Sequence, residues 1–220
     1  MVKIVFRIEI ATLAGTDGLI DFKKLGRLAM LCTQLNHSGK KVIIVSSGAI
    51  VLGSARLGLK GTPESLNGKQ AAAAVGMAEL IRLYQQAFDE FKQMVAQVLL
   101  ITDDFDSDGR RMNACNTLDK LLQHDIIPVI NENDSVSLED IVLGDNYPLA
   151  LNVARLIGAQ LMVVKTSLEG AYIVLNGVTG EQRSCGEEGI IEEAEKFEET
   201  GGEARQEEMK FPSTLTHFMI

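Results

Sequence analysis

Short apolar runs alternate along this chain with longer stretches in which apolar residues recur at helical spacing. Five runs are mostly apolar or β-branched and have the length of buried strands: Lys3 to Ile8, Val42 to Val45, Val95 to Ile101, Ile126 to Ile130 and Leu161 to Val164. Between them, apolar residues return every three or four positions, which is typical of helices. The alternation of strand and helix predicts an α/β fold with a largely parallel central sheet.

The helical stretches carry recognisable start signals and apolar faces. Asp21 is expected to cap a helix whose stripe includes Cys32, so that this cysteine belongs to the core. The pattern from Gln70 to Phe91 predicts a long helix, and its alanines, Ala71 to Ala74, favour close helix packing. Pro148 to Ile157 predicts a further helix with proline at its first position. From Asn176 onward the pattern degrades into Gly and Glu, and no element is predicted there.

The stretch after Ile130 carries the most concentrated polar chemistry. The predicted strand ends in Asn131, Glu132, Asn133 and Asp134, and Gly144-Asp145-Asn146 follows an alternating segment that predicts a small hairpin, with apolar positions at Val136, Leu138, Ile141 and Leu143. Polar side chains in such numbers either face solvent as turn formers or converge on a polar ligand. The two clusters are candidates for lining one pocket, because ligands of parallel sheets sit at the carboxyl ends of the strands.

A second strand end has small residues where a helix would begin. Ser46, Ser47, Gly48 and Ala49 follow the run from Val42 to Val45. Free backbone N–H groups at a helix N-terminus bind anions, and tight packing of a strand-to-helix turn explains the same residues equally well.

The charge of the chain argues against two classes of binding partner. A net charge of −9 and a pI near 4.9 disfavour nucleic acid and anionic membranes, which are bound by clustered Lys and Arg. No apolar run approaches the ~20 residues that cross a bilayer, and no signal-peptide pattern follows Met1, so the cytoplasm is expected.

Three cysteines without metal spacing indicate reduced thiols. The acids between Asp103 and Asp108 lack the calcium-loop spacing and are expected to cap a helix, so no metal site is predicted among the residues themselves.

Several motifs in one order resemble a known family. These are VSSGAI from Val45, AAAAVGMAELIRLYQ from Ala71, AQVLLITDDFD from Ala96, NTL from Asn116, and IIPVINEND followed by GDN. Together they resemble the glutamate 5-kinase family of the amino acid kinase superfamily, over roughly residues 1 to 172. The resemblance implies a three-layer αβα sandwich forming a single domain over residues 1 to 220, truncated or divergent after about residue 175. Acetylglutamate and aspartate kinases of the same superfamily are a weaker match.

The resemblance also implies an activity and a substrate pocket. Family members use ATP and Mg²⁺ to phosphorylate the side-chain carboxylate of L-glutamate, the first step of proline biosynthesis, as homo-oligomers inhibited by proline. Matched by position, the glutamate-binding residues are Ser47, Gly48, Ala49, Asn131, Asp134 and Asn146. A carboxylate suits the ammonium of the amino acid, and neutral donors suit its carboxylates. Because the substrate carboxylate is already ionised at pH 7, no general base is required.

The phosphate and nucleotide side departs from the family pattern. Arg7 occupies the position of a phosphate-binding lysine of the family, and Glu9 occupies the position of a glycine near the polyphosphate. Tyr147 replaces the aspartate that ends the GDND motif. The remaining matched positions are Thr166 and Ser167 at the nucleotide site, Gly201 and Gly202 in a degraded glycine signature, and Gln206 in place of a lysine. Matched to the family, Arg7 and Gln206 are the catalytic positions, and Arg7, Thr166, Ser167, Gly201 and Gly202 bind the cofactor. Two hypotheses follow: an ATP-dependent glutamate 5-kinase, or a catalytically impaired relative that binds glutamate or proline as a regulatory subunit.

Overall fold

A computed structural model describes residues 1–13, 20–136, 146–166, 170–200 and 209–213. The strands are β1 (Lys3–Glu9), β2 (Lys41–Ser47), β3 (Val95–Leu100), β4 (Ile127–Glu132), β5 (Leu161–Lys165), β6 (Tyr172–Asn176) and β7 (Gln182–Cys185). The α-helices are α1 (Phe22–His37), α2 (Ala49–Arg56), α3 (Leu66–Asp89), α4 (Asp103–Asp106), α5 (Asp108–Gln123), α6 (Tyr147–Ile157) and α7 (Glu187–Thr200). Within this part of the chain, no helix is long and apolar enough to cross a membrane.

The strands form one sheet in the order β3-β4-β2-β1-β5-β6-β7. β1 pairs in parallel with β2 and β5, and β4 pairs in parallel with β2 and β3. β6 pairs antiparallel with both β5 and β7. The sheet is therefore largely parallel, as the sequence predicted. β1 is buried from Ile4 to Ile8 because it lies near the middle of the sheet and is covered on both faces.

Helices cover both faces of the sheet and make three layers. Alternate strand residues such as Phe6 and Ile44 pack against α1, α3 and α7. Their neighbours, such as Val5 and Ile43, pack against α5, α6 and the segment 209–213. The three-layer αβα architecture implied by the resemblance is therefore confirmed.

Helices α2 and α3 approach each other more closely than side chains would allow. A Cβ atom on Gly76 would stand 1.7 Å from the carbonyl oxygen of Ala49, and a Cβ on Gly53 would stand 1.7 Å from that of Ala72. The sequence predicted close packing from the alanines, whereas the contact itself is made by these two glycines.

The structure corrects three local predictions. Residues after Asn176, where no element was expected, form β7 and α7, and α7 buries Ile190 and Ala194 four positions apart on one face. The acidic stretch before α5 contains a one-turn helix, and Asp104 Oδ2 there accepts a hydrogen bond from the backbone N–H of Ile101 at 2.8 Å. Helix α6 begins at Tyr147, one residue before the expected proline. The predicted hairpin through Leu138, Ile141 and Leu143 lies outside the described residues.

Candidate functional site

The carboxyl ends of the central strands bring several of the predicted site residues to one edge of the sheet. Glu9, at the end of β1, is the parallel partner of Ser47, at the end of β2. β4 lies on the other side of β2 and ends at Glu132. This convergence follows from the parallel topology, which places successive strand ends side by side.

Gly48 makes the turn from β2 into α2. It is the N-cap of α2, and its φ of +106° is a left-handed backbone conformation that residues other than glycine rarely adopt. A Cβ at this position would stand 1.8 Å from Cγ2 and 2.6 Å from Cβ of Ile10, the residue after β1, so any larger residue would collide with that side chain. Ala49, the first residue of α2, is 1% exposed. The small residues of this turn are therefore required by packing, whether or not a ligand binds there.

A buried hydroxyl pair supports the same turn from behind. Ser46 Oγ lies 2.9 Å from the hydroxyl of Tyr84, which projects from α3. Burial raises the pKa of Tyr84 above its ordinary value, so its hydroxyl stays protonated and can donate. This bond ties the end of β2 to α3.

Arg7 connects β1 to the start of α6. Its Nε donates a hydrogen bond to Asn146 Oδ1 at 3.1 Å, although the two residues are 139 positions apart in the chain. Its terminal nitrogen forms an ion pair with the carboxylate of Glu9. The Arg7 side chain is 8% exposed and that of Glu9 is 41% exposed, so the pair reaches from the interior toward the sheet edge.

Asn131 and Asp134 follow β4. Asn131 is 4% exposed, and its Oδ1 accepts a hydrogen bond from the backbone N–H of Glu132 at 3.0 Å. Within the described residues its Nδ2 has no hydrogen-bond partner, and the same holds for Nδ2 of Asn146. By strand alternation Asn131 is on the α1 and α3 face, and Arg7 is on the α6 face. Asp134 is half-buried two residues beyond the strand.

The phosphate and nucleotide side is only partly described. Thr166 Oγ1 donates to the carbonyl oxygen of Ala171 at 2.9 Å, which closes the loop between β5 and β6. Tyr147 is 3% exposed, and its hydroxyl donates to the carbonyl oxygen of Pro212 at 2.7 Å. The other predicted residues lie outside the described part of the chain: Asp145, Ser167, Gly201, Gly202 and Gln206.

Lys165, a buried charged residue at the same edge, escaped the sequence analysis as a site candidate. Lys165 ends β5 and is 7% exposed. Its Nζ donates to the carbonyl oxygen of Thr166 at 2.9 Å and lies 5.1 Å from the centre of the Tyr172 ring. Glu132 is 6% exposed at the end of β4. For Lys165 the available signal was a charged residue directly after an all-apolar run, which places it at the ligand-binding edge of a parallel sheet.

The described residues alone do not fit a polyphosphate or a metal ion. Arg7 already has Glu9 as its counter-ion, and the Thr166 hydroxyl is engaged by the backbone. In the described ranges no group of three or more His, Cys, Asp or Glu side chains is arranged to hold a metal. No reaction step through ATP or Mg²⁺ is therefore derived from these residues.

Comparison with known proteins gives the family. A model described as "Amino acid kinase family" matches residues 12–173. A glutamate 5-kinase of Geobacter sulfurreducens is 43% identical over 170 residues, covering 77% of this chain and 46% of that protein. A glutamate 5-kinase of Clostridium acetobutylicum is 41% identical over 170 residues, covering 77% of this chain and 64% of that protein. The chain thus spans about half of one relative and under two-thirds of the other.

Among solved structures, a UMP kinase from Ureaplasma parvum is 16% identical with a TM-score of 0.49, covering 74% of this chain and 67% of that chain. The assignment to a family rests on the sequence matches, because the family model covers residues 12–173, which include β2 to β5. The chain belongs to the amino acid kinase family.

Proposed function

We propose that this chain binds L-glutamate at the carboxyl edge of β1, β2 and β4, and that the protein phosphorylates the side-chain carboxylate of glutamate with ATP and Mg²⁺. The observation that carries the proposal is the buried amide of Asn146, whose Nδ2 has no hydrogen-bond partner in the described residues. A buried donor left unpaired costs about 1–3 kcal/mol, which an acceptor on a ligand would recover.

The chemistry of the edge suits an amino acid with two carboxylates. Ser47 and Asn146 offer neutral donors to a carboxylate, and Asp134 offers a carboxylate to an ammonium group. The names of the relatives from Geobacter and Clostridium support glutamate as that amino acid. Action in the cytoplasm, assembly into a homo-oligomer and inhibition by proline belong to the same proposal.

The binding test is calorimetric titration of L-glutamate into the wild type and Asp134→Ala. Loss of the carboxylate should weaken binding at least tenfold, because a charge-assisted bond contributes roughly 1.5–3 kcal/mol. Asp89→Ala is the matched control, since Asp89 is an exposed carboxylate at the far end of α3. Equal affinity of Asp134→Ala and the wild type would show that the pocket has been placed wrongly.

A second candidate, a relative that binds glutamate or proline without turning over ATP, is favoured by the pairing of Arg7 with Glu9. This pairing neutralises the cation that stands where the family carries a phosphate-binding lysine. Glutamate-dependent ADP release from the wild type and from Arg7→Lys combined with Glu9→Gly separates the candidates. Wild-type turnover of ~1 to 10³ per second would exclude the second candidate. Tyr147→Asp is unsuitable as a further change toward the family pattern, because a carboxylate there would replace a ring that is buried in the core.

A further inference from the structure

The amide of Asn146 has a defined orientation. Arg7 is a donor only, so the Asn146 atom that lies 3.1 Å from Arg7 Nε is the carbonyl oxygen. The amino group must therefore point the other way. Asn146 is 8% exposed, and its Nδ2 has no hydrogen-bond partner among the described residues. The result is a buried N–H₂ donor with one orientation and no acceptor from the described protein.

Arg7 is itself held at two points. Its Nε is committed to Asn146, and a terminal nitrogen is committed to Glu9. Two fixed bonds on a rigid planar guanidinium define the plane of the group. Glu9 in turn is placed by the strand, because it is the register partner of Ser47. Glu9 pairs with the charge of Arg7, and the bond from Nε to Asn146 sets a direction.

We infer that Arg7 is a positioning residue for the acceptor substrate: it fixes Asn146 so that Nδ2 donates to a carboxylate of the bound amino acid. The inference rests on the proposed glutamate site and names the contact within it. It adds a substrate-side contact to Arg7, a position that the family resemblance puts on the phosphate side. Without Arg7 the Asn146 amide could turn over and present its oxygen to the ligand, which would repel a carboxylate.

The test is a double-mutant cycle on L-glutamate affinity, measured by calorimetry. Asn146→Ala removes the donor and should raise Kd about tenfold, the effect expected for losing one hydrogen bond to a charged group. Arg7→Met should raise Kd by a similar factor. The double variant should be no weaker than Asn146→Ala alone, because Arg7 acts through Asn146. Losses that multiply would mean that Arg7 contacts the ligand independently, and would overturn the inference.

Two further measurements distinguish positioning from a structural role. Arg7→Lys keeps a cationic donor for Asn146 Oδ1 but loses the fixed plane of the guanidinium, so its Kd should fall between that of the wild type and that of Arg7→Met. If Arg7→Met does not fold, Arg7→Lys and Glu9→Gln carry the test, and both should keep the Asn146 amide oriented. A Kd for Arg7→Lys as weak as that for Asn146→Ala would contradict the inference.

Nuclear magnetic resonance of the Asn146 side-chain amide gives a readout that needs no ligand. The wild type should show one set of Asn146 amide signals. Arg7→Met should shift or broaden them, because turning about the Cβ–Cγ bond moves the amide between two environments, whereas the two N–H₂ protons stay distinct across the partial-double C–N bond. If the wild type binds no glutamate but this change occurs, the positioning by Arg7 stands and the proposed substrate is wrong. Unchanged Asn146 signals in Arg7→Met would overturn the positioning itself.

Discussion

Replacing Gly76 by alanine should force α2 away from α3. The new Cβ would stand 1.7 Å from the carbonyl oxygen of Ala49 and 2.7 Å from the backbone nitrogen of Gly53. Carbon and oxygen atoms in close contact normally remain about 3.3 Å apart, so the helices must separate by roughly 1.5 Å. The obstacle is backbone, which cannot turn aside as the end of a side chain could.

The magnitude follows from two opposing effects. Overpacking of a tight contact costs about 1–3 kcal/mol, and a backbone clash belongs at the upper end of that range. Alanine is better than glycine in a helix by about 1 kcal/mol. The free energy of unfolding of Gly76→Ala should therefore fall by about 2 kcal/mol.

Gly26→Ala provides the matched control. Gly26 lies in the interior of α1, and a Cβ there would meet no atom within 4 Å. This variant keeps the helix-propensity gain without the clash, so it should be up to about 1 kcal/mol more stable than the wild type. Urea unfolding followed by circular dichroism measures both variants. The reasoning fails if Gly76→Ala is as stable as Gly26→Ala, because the close approach of the helices would then be absent.

Three other outcomes are expected. Tyr147→Phe removes the hydrogen bond to the Pro212 carbonyl and should lower the free energy of unfolding by about 1 kcal/mol, with a clear shift of the urea midpoint; no shift would place segment 209–213 elsewhere. Burial raises the pKa of Cys32, so a thiol reagent at pH 8 should label it only after unfolding, as peptide mass spectrometry would show. The hydrogen bond from Lys41 lowers the pKa of Asp125 below its ordinary value, so this pair stabilises the fold above the carboxyl's unfolded pKa, and the contribution disappears as pH falls through the lower folded pKa. Lys41→Met should return the Asp125 pKa toward its usual range in a carbon-detected titration.

The five strands β1 to β5 and most helices could be predicted because their patterns are local. A run such as Val42 to Val45 is apolar throughout, and Asp21 accepts from the backbone N–H of Lys23 at 2.8 Å as a capping residue should. The segment after Asn176 was missed for a physical reason. β7 is a four-residue edge strand with little apolar content, and the apolar face of α7 is short among many glutamates.

The candidate site likewise has features that the sequence predicted and contacts that it did not predict. The sequence placed Ser47 and Asn131 at strand ends, because a strand that stops at polar residues is a local event. The sequence could not predict that Arg7 would bond to Asn146, or that Tyr147 would reach Pro212.

What the sequence by itself determined is most of the elements, the α/β alternation and the edge at which polar side chains collect. The tertiary structure alone decided which of those side chains meet. Residues 7 and 146 come within hydrogen-bonding distance only because β1 lies between β2 and β5 and α6 packs on one face of the sheet. Local periodicity fixes the face on which a residue lies, whereas strand order and helix packing fix its neighbours.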